Sequence, residues 1–408
     1  MSAAAPGQPG PLHGIRVVEL ASVVLGPYAG QLLGDLGADV IKVEPLHGDS
    51  MRQVGPSGQA SGMASLFLGC NRNKRSLAID LKQPEGVQAL MLLLGNTDVL
   101  LHNYRPEAVS RLGLDYAAVR AVRPDIIYCA THGYSQRGPY GGRGAYDDSV
   151  QAASGLAELQ ARSGGEMRFL PTIVADKTTA LVAVQAVLAA LLHRERHGEG
   201  QQVEVPMFET MTGWVAVEHL WGHSWSPSRG GSGYPRVLSP DRRPYRARDG
   251  VYLSVLPYMD RHWAEFWAVA GQPLVRDEPR FASVASRLAH IDECYAAVAA
   301  AIAGRDSEDW LFALGETSVP VTRVNSIDDL LEDPHLLATG FWQQHQHPGE
   351  GSLRMPSPPF EFSATPAAIR RLPPGLGEHS REVLREAGLD AAAIQALLDL
   401  GVIGEPAA

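Results

Sequence analysis

Asp176 stands where an extended run meets a long apolar segment, a position that suits a carboxylate with a chemical role. Residues 171–175 precede it, and a segment rich in Ala, Val and Leu follows as far as His193. Aspartate is among the preferred residues at a helix N-cap, so capping alone would account for it. The positive end of the helix would also stabilise an ionised carboxylate that attacks an acyl group. The sequence therefore predicts a helix start at Asp176, with capping and nucleophilic roles both open.

Two basic clusters flank consecutive predicted strands. The first contains Asn73, Lys74, Arg75 and Lys82, and the second contains Asn103, Tyr104, Arg105 and Arg111. If both lie on one side of the sheet, their cations would bind the phosphates of a large anionic cofactor, and Asn and Tyr would offer hydrogen bonds and a stacking face. Solvated basic loops are the alternative interpretation.

The elements that must position these residues follow an alternating strand and helix pattern, which predicts a parallel sheet covered by helices. Strands are predicted at 15–20, 39–44, 77–81, 98–103 and 125–130, and helices at 28–36, 84–94 and 116–122. Ligands bind beyond the carboxyl ends of such strands. We therefore expect the site in the loops 21–27, 45–55, 103–111 and 131–146.

A chain of 408 residues exceeds the usual size of one hydrophobic core. The composition changes near residues 226 and 326, which predicts a large Rossmann-like domain over 1–225, a smaller α+β domain over 226–326, and a remaining C-terminal part over 327–408. The segment 176–193 is too apolar for an exposed helix, so it is expected to be buried between layers or against a partner subunit. Further predicted elements are strands at 202–205 and 251–256, helices at 208–221, 262–269 and 294–303, and three short helices after 326.

The net charge, the length of the apolar runs, the cysteine content and the missing motifs exclude several classes of protein. A formal charge of −10 disfavours nucleic-acid binding. No uninterrupted apolar run reaches the ~18–20 residues that cross a bilayer, and residues 1–11 resemble a loose tail and not a signal peptide. Three scattered cysteines favour a reducing compartment, so we expect a cytoplasmic protein without a membrane partner. The sequence contains no zinc motif, dinucleotide fingerprint, serine-hydrolase elbow or phosphate-binding P-loop, and no metal is expected.

Several motifs in order resemble the family III CoA-transferases, a group that includes formyl-CoA transferase, carnitine CoA-transferase and the α-methylacyl-CoA racemases. They are residues 19–27, LGADVIKVE at 36–44, NKRS at 73–76, NYRP at 103–106, and Tyr146-Asp147 ahead of Asp176. The likeness runs from about residue 12 to residue 403. It implies a large Rossmann-like domain made from both chain ends, a small domain between them, and an interlocked homodimer.

The resemblance also implies roles for individual residues. Asp176 falls on the catalytic aspartate, and Tyr146 and Asp147 fall on active-site positions. The positions that match CoA contacts are Ile79, Lys82, Asn103, Tyr104 and Arg111, with Val24 and Leu25 beside the thioester. The implied reaction moves CoA from an acyl-CoA to a carboxylic acid through a mixed anhydride and an aspartyl-CoA thioester. CoA is then a substrate, and no tightly bound cofactor is expected.

Two departures weaken the case for formyl or oxalyl substrates, because Pro45 replaces an arginine of formyl-CoA transferase and Val24 replaces a glutamine. The acid remains open, with dicarboxylates such as succinate, mesaconate or itaconate as candidates. Arg143, Arg229 and Arg236 are candidates to bind a second carboxylate, or else are ordinary surface residues.

Two other functions stay open. An α-methylacyl-CoA racemase needs a second base, and the histidine of those relatives is a tyrosine here, a poor base with a reference pKa of about 10. A non-catalytic CoA-binding protein would keep the fold without turnover.

Overall fold

Strands rich in β-branched residues assemble into one large sheet in the computed structural model, which describes residues 9–58 and 62–406. Its order is β12-β3-β2-β1-β4-β5-β6, parallel throughout except for β12, which runs antiparallel along β3. The strands of the described residues are β1 (Arg16–Leu20), β2 (Asp39–Glu44), β3 (Lys74–Ile79), β4 (Val99–His102), β5 (Ile127–His132), β6 (Gln201–Pro206), β7 (Tyr245–Arg246), β8 (Tyr252–Val255), β9 (Val321–Arg323), β10 (Trp342–His347), β11 (Gly351–Pro356) and β12 (Ile403–Gly404). The order 3-2-1-4-5-6 is that of a doubly wound Rossmann sheet. The predicted parallel α/β sheet is therefore confirmed.

Helices connect these strands and cover the sheet. The described α-helices are α1 (Leu25–Asp35), α2 (Ser65–Cys70), α3 (Pro84–Leu94), α4 (Pro106–Arg111), α5 (Tyr116–Val122), α6 (Asp147–Ala153), α7 (Leu156–Arg162), α8 (Val174–His197), α9 (Met207–His219), α10 (Pro235–Leu238), α11 (Asp260–Val269), α12 (Val284–Ala289), α13 (Ile291–Ile302), α14 (Ser307–Gly315), α15 (Pro334–Ala338), α16 (Ser380–Glu386) and α17 (Ala391–Asp399). Proline at the first position of α3 and the Asp115 side chain capping α5 explain why both helices have the predicted bounds.

The sheet has a hydrophobic core on each face because successive strand residues point to opposite sides. Val18 of β1 packs in a core with α3, α5, α16 and α17. Its neighbour Val17 packs in a second core with α1 and α8. The result is a three-layer arrangement in which both faces of the parallel strands are buried.

Helix α8 packs between layers with one face, as predicted, and exposes its other face, for which burial against a partner subunit stays a prediction. Its inner face includes Ala180 and Val187, while Leu181 and Leu192 are more than half exposed. The helix is long and apolar enough to cross a membrane by length and composition, and half of that stretch is buried. Its packing against α1 and the sheet is that of a core helix.

The chain divides into two compact units. The first comprises the described residues up to Ser154, Pro171–Thr212, and the chain from His335 onward, and the second comprises Gly155–Leu170 and Gly213–Pro334. The second unit thus begins before the composition change at 226 and also takes in a short earlier segment. Residues 1–8 of the predicted tail lie outside the described residues.

Each unit also holds strands that the sequence did not predict. In the first, β10 and β11 form an antiparallel hairpin where only short helices were expected. In the second, the unpredicted strands β7 and β9 flank β8, which the sequence did predict, in a small antiparallel sheet, and α11, α13 and α14 pack with it around Trp267 and Trp310. The strand β12 pairs through only two residues, Ile403 and Gly404, too few to leave a periodic signal.

Candidate active site

The first helical turns of α1 and α8 lie at the carboxyl edge of the sheet. Helix α1 follows β1 directly, so it begins at that edge. Helix α8 runs the opposite way to the parallel strand β6 that follows it, and near its end Arg194 Nη1 lies 3.0 Å from Asp98 Oδ1, just before β4. Asp176 is thereby placed where ligands bind in such folds.

Asp176 and Asp147 form a pair of carboxyl groups at the start of α8. Asp147 Oδ1 accepts the backbone N–H of Ala175 at 2.6 Å and that of Asp176 at 3.1 Å. Gln151 Nε2 donates to the other Asp147 oxygen at 2.6 Å. Asp147 therefore caps a helix that begins 27 positions further along the chain, at Val174.

The helix begins two residues before Asp176, so the predicted N-cap role was wrong. Asp176 lies in the first turn, and Asp147 supplies the side-chain cap. The Asp176 side chain therefore does not cap the helix. Within the described residues no group donates a hydrogen bond to it, although the residue is only 7% exposed.

The surroundings of Asp176 weaken its acidity. Burial, and secondly the neighbouring charge of Asp147, raise the pKa of Asp176 to about 7. Both causes disfavour the ionised form, the first because charge is removed from water and the second because like charges repel. Asp176 is thus a carboxyl group whose charge changes near neutral pH, a property that is common at catalytic sites.

A large cleft of about 1150 Å³ opens at the same edge of the sheet. Its apolar lining includes Ile79 and Met91, and Tyr104 lines it as well. Lys82 and Arg111 line it as well, both exposed and, within the described chain, without an ion-pair partner. The resemblance assigns Ile79, Lys82, Tyr104 and Arg111 to CoA, and these four residues share the cleft.

A smaller pocket of about 210 Å³, here named the arginine pocket, also has Tyr104 in its wall. The other polar residues that define it are Ser22, Asn103, Arg105, His132, Gln136, Arg143 and Tyr146. Asn103 also fixes the adjacent loop, because its side chain accepts the Ser22 N–H and donates to the Ser22 carbonyl. The predicted residues Asn103, Arg105 and Tyr146 are therefore brought together here.

Lys74 and Arg75 belong to the interior of the first unit, which corrects their assignment to phosphate binding. Their strand β3 starts at the amino edge of the sheet, opposite the edge that Asn103 follows. Lys74 Nζ is fully buried 2.7 Å from Glu19 Oε2, and Arg75 pairs with Asp39 and Glu386.

Asn73 also has a structural role. It donates to Asp35 Oδ1 at 2.8 Å and accepts the backbone N–H groups of Arg370 and Arg371. Asn73, Lys74 and Arg75 therefore stabilise the fold. Of the first basic cluster, Lys82 is the residue that lines the cleft.

The remaining predicted residues differ in exposure. Val24 and Leu25 are buried at the start of α1, where Val23 adopts a left-handed φ of 71° that is rare for a β-branched residue. Tyr146, just before α6, is 74% exposed.

Comparison with known proteins shows which family this chain belongs to. The model of CoA-transferase family III matches residues 12–380. The chain belongs to CoA-transferase family III. It is 33% identical to succinate–glutarate CoA-transferase of Agrobacterium fabrum over 93% of this chain and 96% of that protein. It is 32% identical to succinyl-CoA:glutarate CoA-transferase of Mus musculus over 96% of this chain and 90% of that one.

Solved structures agree with the family assignment. A CaiB/BaiF family protein from Brucella suis superimposes with a TM-score of 0.78 at 30% identity, covering 93% of this chain and all of that one. The protein is accordingly an enzyme of the CoA-transferase type, a type that uses CoA thioesters as substrates. Among the described residues of this family III enzyme, no cluster of His, Cys, Asp and Glu has a metal-binding arrangement.

Sequence reasoning missed two histidines at the carboxyl edge of the sheet. His102 and His132 end β4 and β5, and their rings lie 6.0 Å apart. Burial lowers the pKa of both, that of His102 to about 3. The available signal was their position immediately before Asn103 and before the glycine-rich loop 133–146, since both loops lie at the carboxyl edge.

Proposed function

We propose that the enzyme transfers CoA between a CoA thioester and a small dicarboxylic acid, with Asp176 as the nucleophile. The observation that carries the proposal is a carboxyl group in the first turn of α8, buried, free of capping and with a pKa raised to about 7. Its relatives from Agrobacterium fabrum and Mus musculus are named for succinate and glutarate, and these support a dicarboxylate of four or five carbons.

The reaction conserves the thioester bond by two exchanges on Asp176. The ionised carboxylate attacks the acyl carbon of the donor, releases CoA thiolate and forms a mixed anhydride. The thiolate attacks the Asp176 carbonyl, which gives an aspartyl-CoA thioester and frees the donor acid. The acceptor carboxylate then attacks this thioester, and the released thiolate attacks the acceptor acyl carbon, so Asp176 is regenerated.

The large cleft suits the nucleotide portion of CoA. Its apolar wall at Ile79 and Met91 offers a surface for the adenine ring, and Lys82 and Arg111 offer charges for the phosphates. The family resemblance supports the same placement and also an interlocked homodimer.

Isotope transfer tests this mechanism directly. An acceptor acid labelled with ¹⁸O in its carboxylate passes one labelled oxygen to Asp176 in each turnover, because the anhydride oxygen stays with the aspartate. Mass spectrometry of the peptide that contains Asp176 should show the label after turnover with acyl-CoA. The Asp176→Asn enzyme should take up no label and should lose CoA exchange, while Asp148→Asn, an exposed neighbour of the pair, should behave as wild type. Exchange that persists in Asp176→Asn would overturn the proposal.

A further inference from the structure

Lysine is rare in this chain, and its positions bear on the chemistry of acyl groups. The chain has 35 lysine and arginine residues, of which four are lysine, at positions 42, 74, 82 and 177. Lys42 and Lys74 are fully buried in ion pairs with Glu19. The amine of lysine accepts acyl groups, whereas arginine stays protonated and does not. The exposed lysine amines of this enzyme are therefore those of Lys82 and Lys177.

Lys177 directly follows Asp176 in the first turn of α8. Its Nζ donates a hydrogen bond of 2.6 Å to Thr172 Oγ1, and within the described residues it forms no ion pair. The carbonyl oxygen of Thr172 lies 3.5 Å from Gln151 Nε2, which also donates to Asp147 at 2.6 Å. This series of contacts connects the lysine amine to the pair of carboxyl groups.

The kind of partner that holds an amine matters, because only an unprotonated amine is a nucleophile. A carboxylate partner favours the ammonium form, as Glu19 and Asp49 do for Lys42. The hydroxyl of Thr172 carries no charge, so it orients Lys177 without forming an ion pair. An acyl group bound to the adjacent Asp176 would be at a high effective concentration for that amine.

On the basis of the proposed function, we propose that Lys177 is a self-acylation site, which takes its acyl group from the mixed anhydride on Asp176. The amine attacks the donor acyl carbon of the anhydride. A C–N bond forms, the C–O bond to Asp176 breaks and regenerates the carboxylate, and the amine proton passes to the CoA thiolate. Acyl-CoA and lysine thus give an acyl-lysine and free CoA without a further reactant. The acyl group of a dicarboxylic acid would replace the positive charge at this position by a negative one.

Direct attack on acyl-CoA from solution is the other route to an acyl-lysine. Two references separate it from transfer within the site. Lys82 is also exposed, but it lines the large cleft and does not adjoin Asp176 in the chain. The Asp176→Asn enzyme keeps both amines and cannot form the anhydride.

The test incubates the enzyme with succinyl-CoA at mildly alkaline pH and follows the peptides of both lysines by mass spectrometry. Hydroxylamine treatment beforehand removes anhydrides and thioesters from Asp176 and leaves the lysine amide intact. The wild-type enzyme should gain a succinyl group on Lys177 at least about 10-fold faster than on Lys82. Asp176→Asn should reduce the Lys177 rate to that of Lys82, while Asp148→Asn should behave as wild type. Lys177→Arg should abolish the fast mass increase of the whole protein.

Two results would overturn the proposal. One is acylation of Lys82 as fast as that of Lys177 in the wild-type enzyme, and the other is acylation of Lys177 at the wild-type rate in Asp176→Asn. The ¹⁸O experiment keeps this inference separate from the proposed function. Label on Asp176 without an acyl group on Lys177 would refute self-acylation alone, whereas absence of that label would refute the nucleophilic role of Asp176.

Discussion

Asp176 must lose its proton to react, yet its surroundings retain that proton up to neutral pH. Its pKa rises from 3.8 to about 7, first through burial and then through the charge of Asp147. The rate of CoA exchange should therefore rise with pH and level off above about pH 7. Removing the nearby charge while keeping the helix cap separates the two causes.

Asp147→Asn makes that separation, because an asparagine oxygen still accepts the N–H groups of Ala175 and Asp176. The midpoint of the pH–rate profile should shift to lower pH, and the maximal rate should change much less than in Asp176→Asn. Profiles of kcat over pH 5–9 provide the measurement. A midpoint that stays in place would show that burial alone sets the acidity of Asp176.

The same pKa shift predicts a stability cost. Between pH 4 and pH 7 the unfolded carboxyl releases a proton that the folded one retains, so the shift progressively favours unfolding as the pH rises. The cost is complete above pH 7 and is on the order of 4 kcal/mol for a pKa that rises from 3.8 to about 7.

Asp176→Asn should remove that cost. The variant should be more stable than wild type at pH 8, and the difference should disappear towards pH 4. Urea unfolding at both pH values measures this. A variant less stable than wild type at pH 8 would mean that the ionised carboxylate is well accommodated in the folded protein.

The contact between β1, β3 and α1 shows how elements prepare the site. Glu19 on β1 is fully buried between Lys42 and Lys74, at 3.1 Å and 2.7 Å. Lys42 also donates to the Ala21 carbonyl at 3.0 Å, at the start of the loop that leads into α1. A buried charge is tolerated only when it is paired, so this network depends on close approach of the helix.

Gly30 of α1 permits that approach. A Cβ at this position would lie 2.0 Å from Glu19 Oε2 and 3.4 Å from Lys74 Cε, so Gly30→Ala should force the ion pairs apart. We expect a loss of about 3–5 kcal/mol, as for other broken buried pairs. Denaturant unfolding gives the value.

Gly69 in α2 is the matched control, since a Cβ there meets nothing within 4 Å. Gly69→Ala should be neutral or stabilise the fold by about 0.5–1 kcal/mol through helix propensity. Equal effects of the two substitutions would argue against the close-approach explanation.

The elements also show what sequence can and cannot reveal. The bounds of β2, α3 and α5 were predictable because apolar periodicity, a first-turn proline and an N-cap aspartate are local signals. The burial and ion pairing of Lys74 and Arg75 could not be predicted, because their partners Glu19 and Glu386 are distant in the chain. A basic run identifies charge, whereas only the register of the strands decides whether that charge faces a ligand or the core.

The candidate site was predictable in the same limited way. Position after a strand identified Asn103 and Arg105, and the multi-motif resemblance identified Asp176. The capping of α8 by Asp147 could not be predicted from the sequence. Asp147 meets the backbone of Ala175 only when α6 packs against α8 in the folded chain.

At the scale of the whole molecule, the second unit exposes an apolar stripe around the end of α9. Trp214 and Val217, three residues apart on α9, share one helical face and are 48% and 84% exposed, and Trp221, just beyond the end of the helix, is 38% exposed. Exposed apolar patches of this kind are typical of protein interfaces. The stripe is consistent with the homodimer that the family resemblance implies.

An interlocked dimer differs from an ordinary one in how its subunits separate. Linked chains cannot come apart unless one of them opens, whereas subunits that meet only at surfaces exchange by simple dissociation. Mixing mass-tagged and untagged dimers should therefore give no hybrid dimers under native conditions, as followed by native mass spectrometry over days. Hybrids should form only after joint unfolding and refolding, and Val217→Asp should reduce their yield because it places a charge in the apolar stripe. Hybrids that appear within hours without denaturant would show that the two chains associate without being linked.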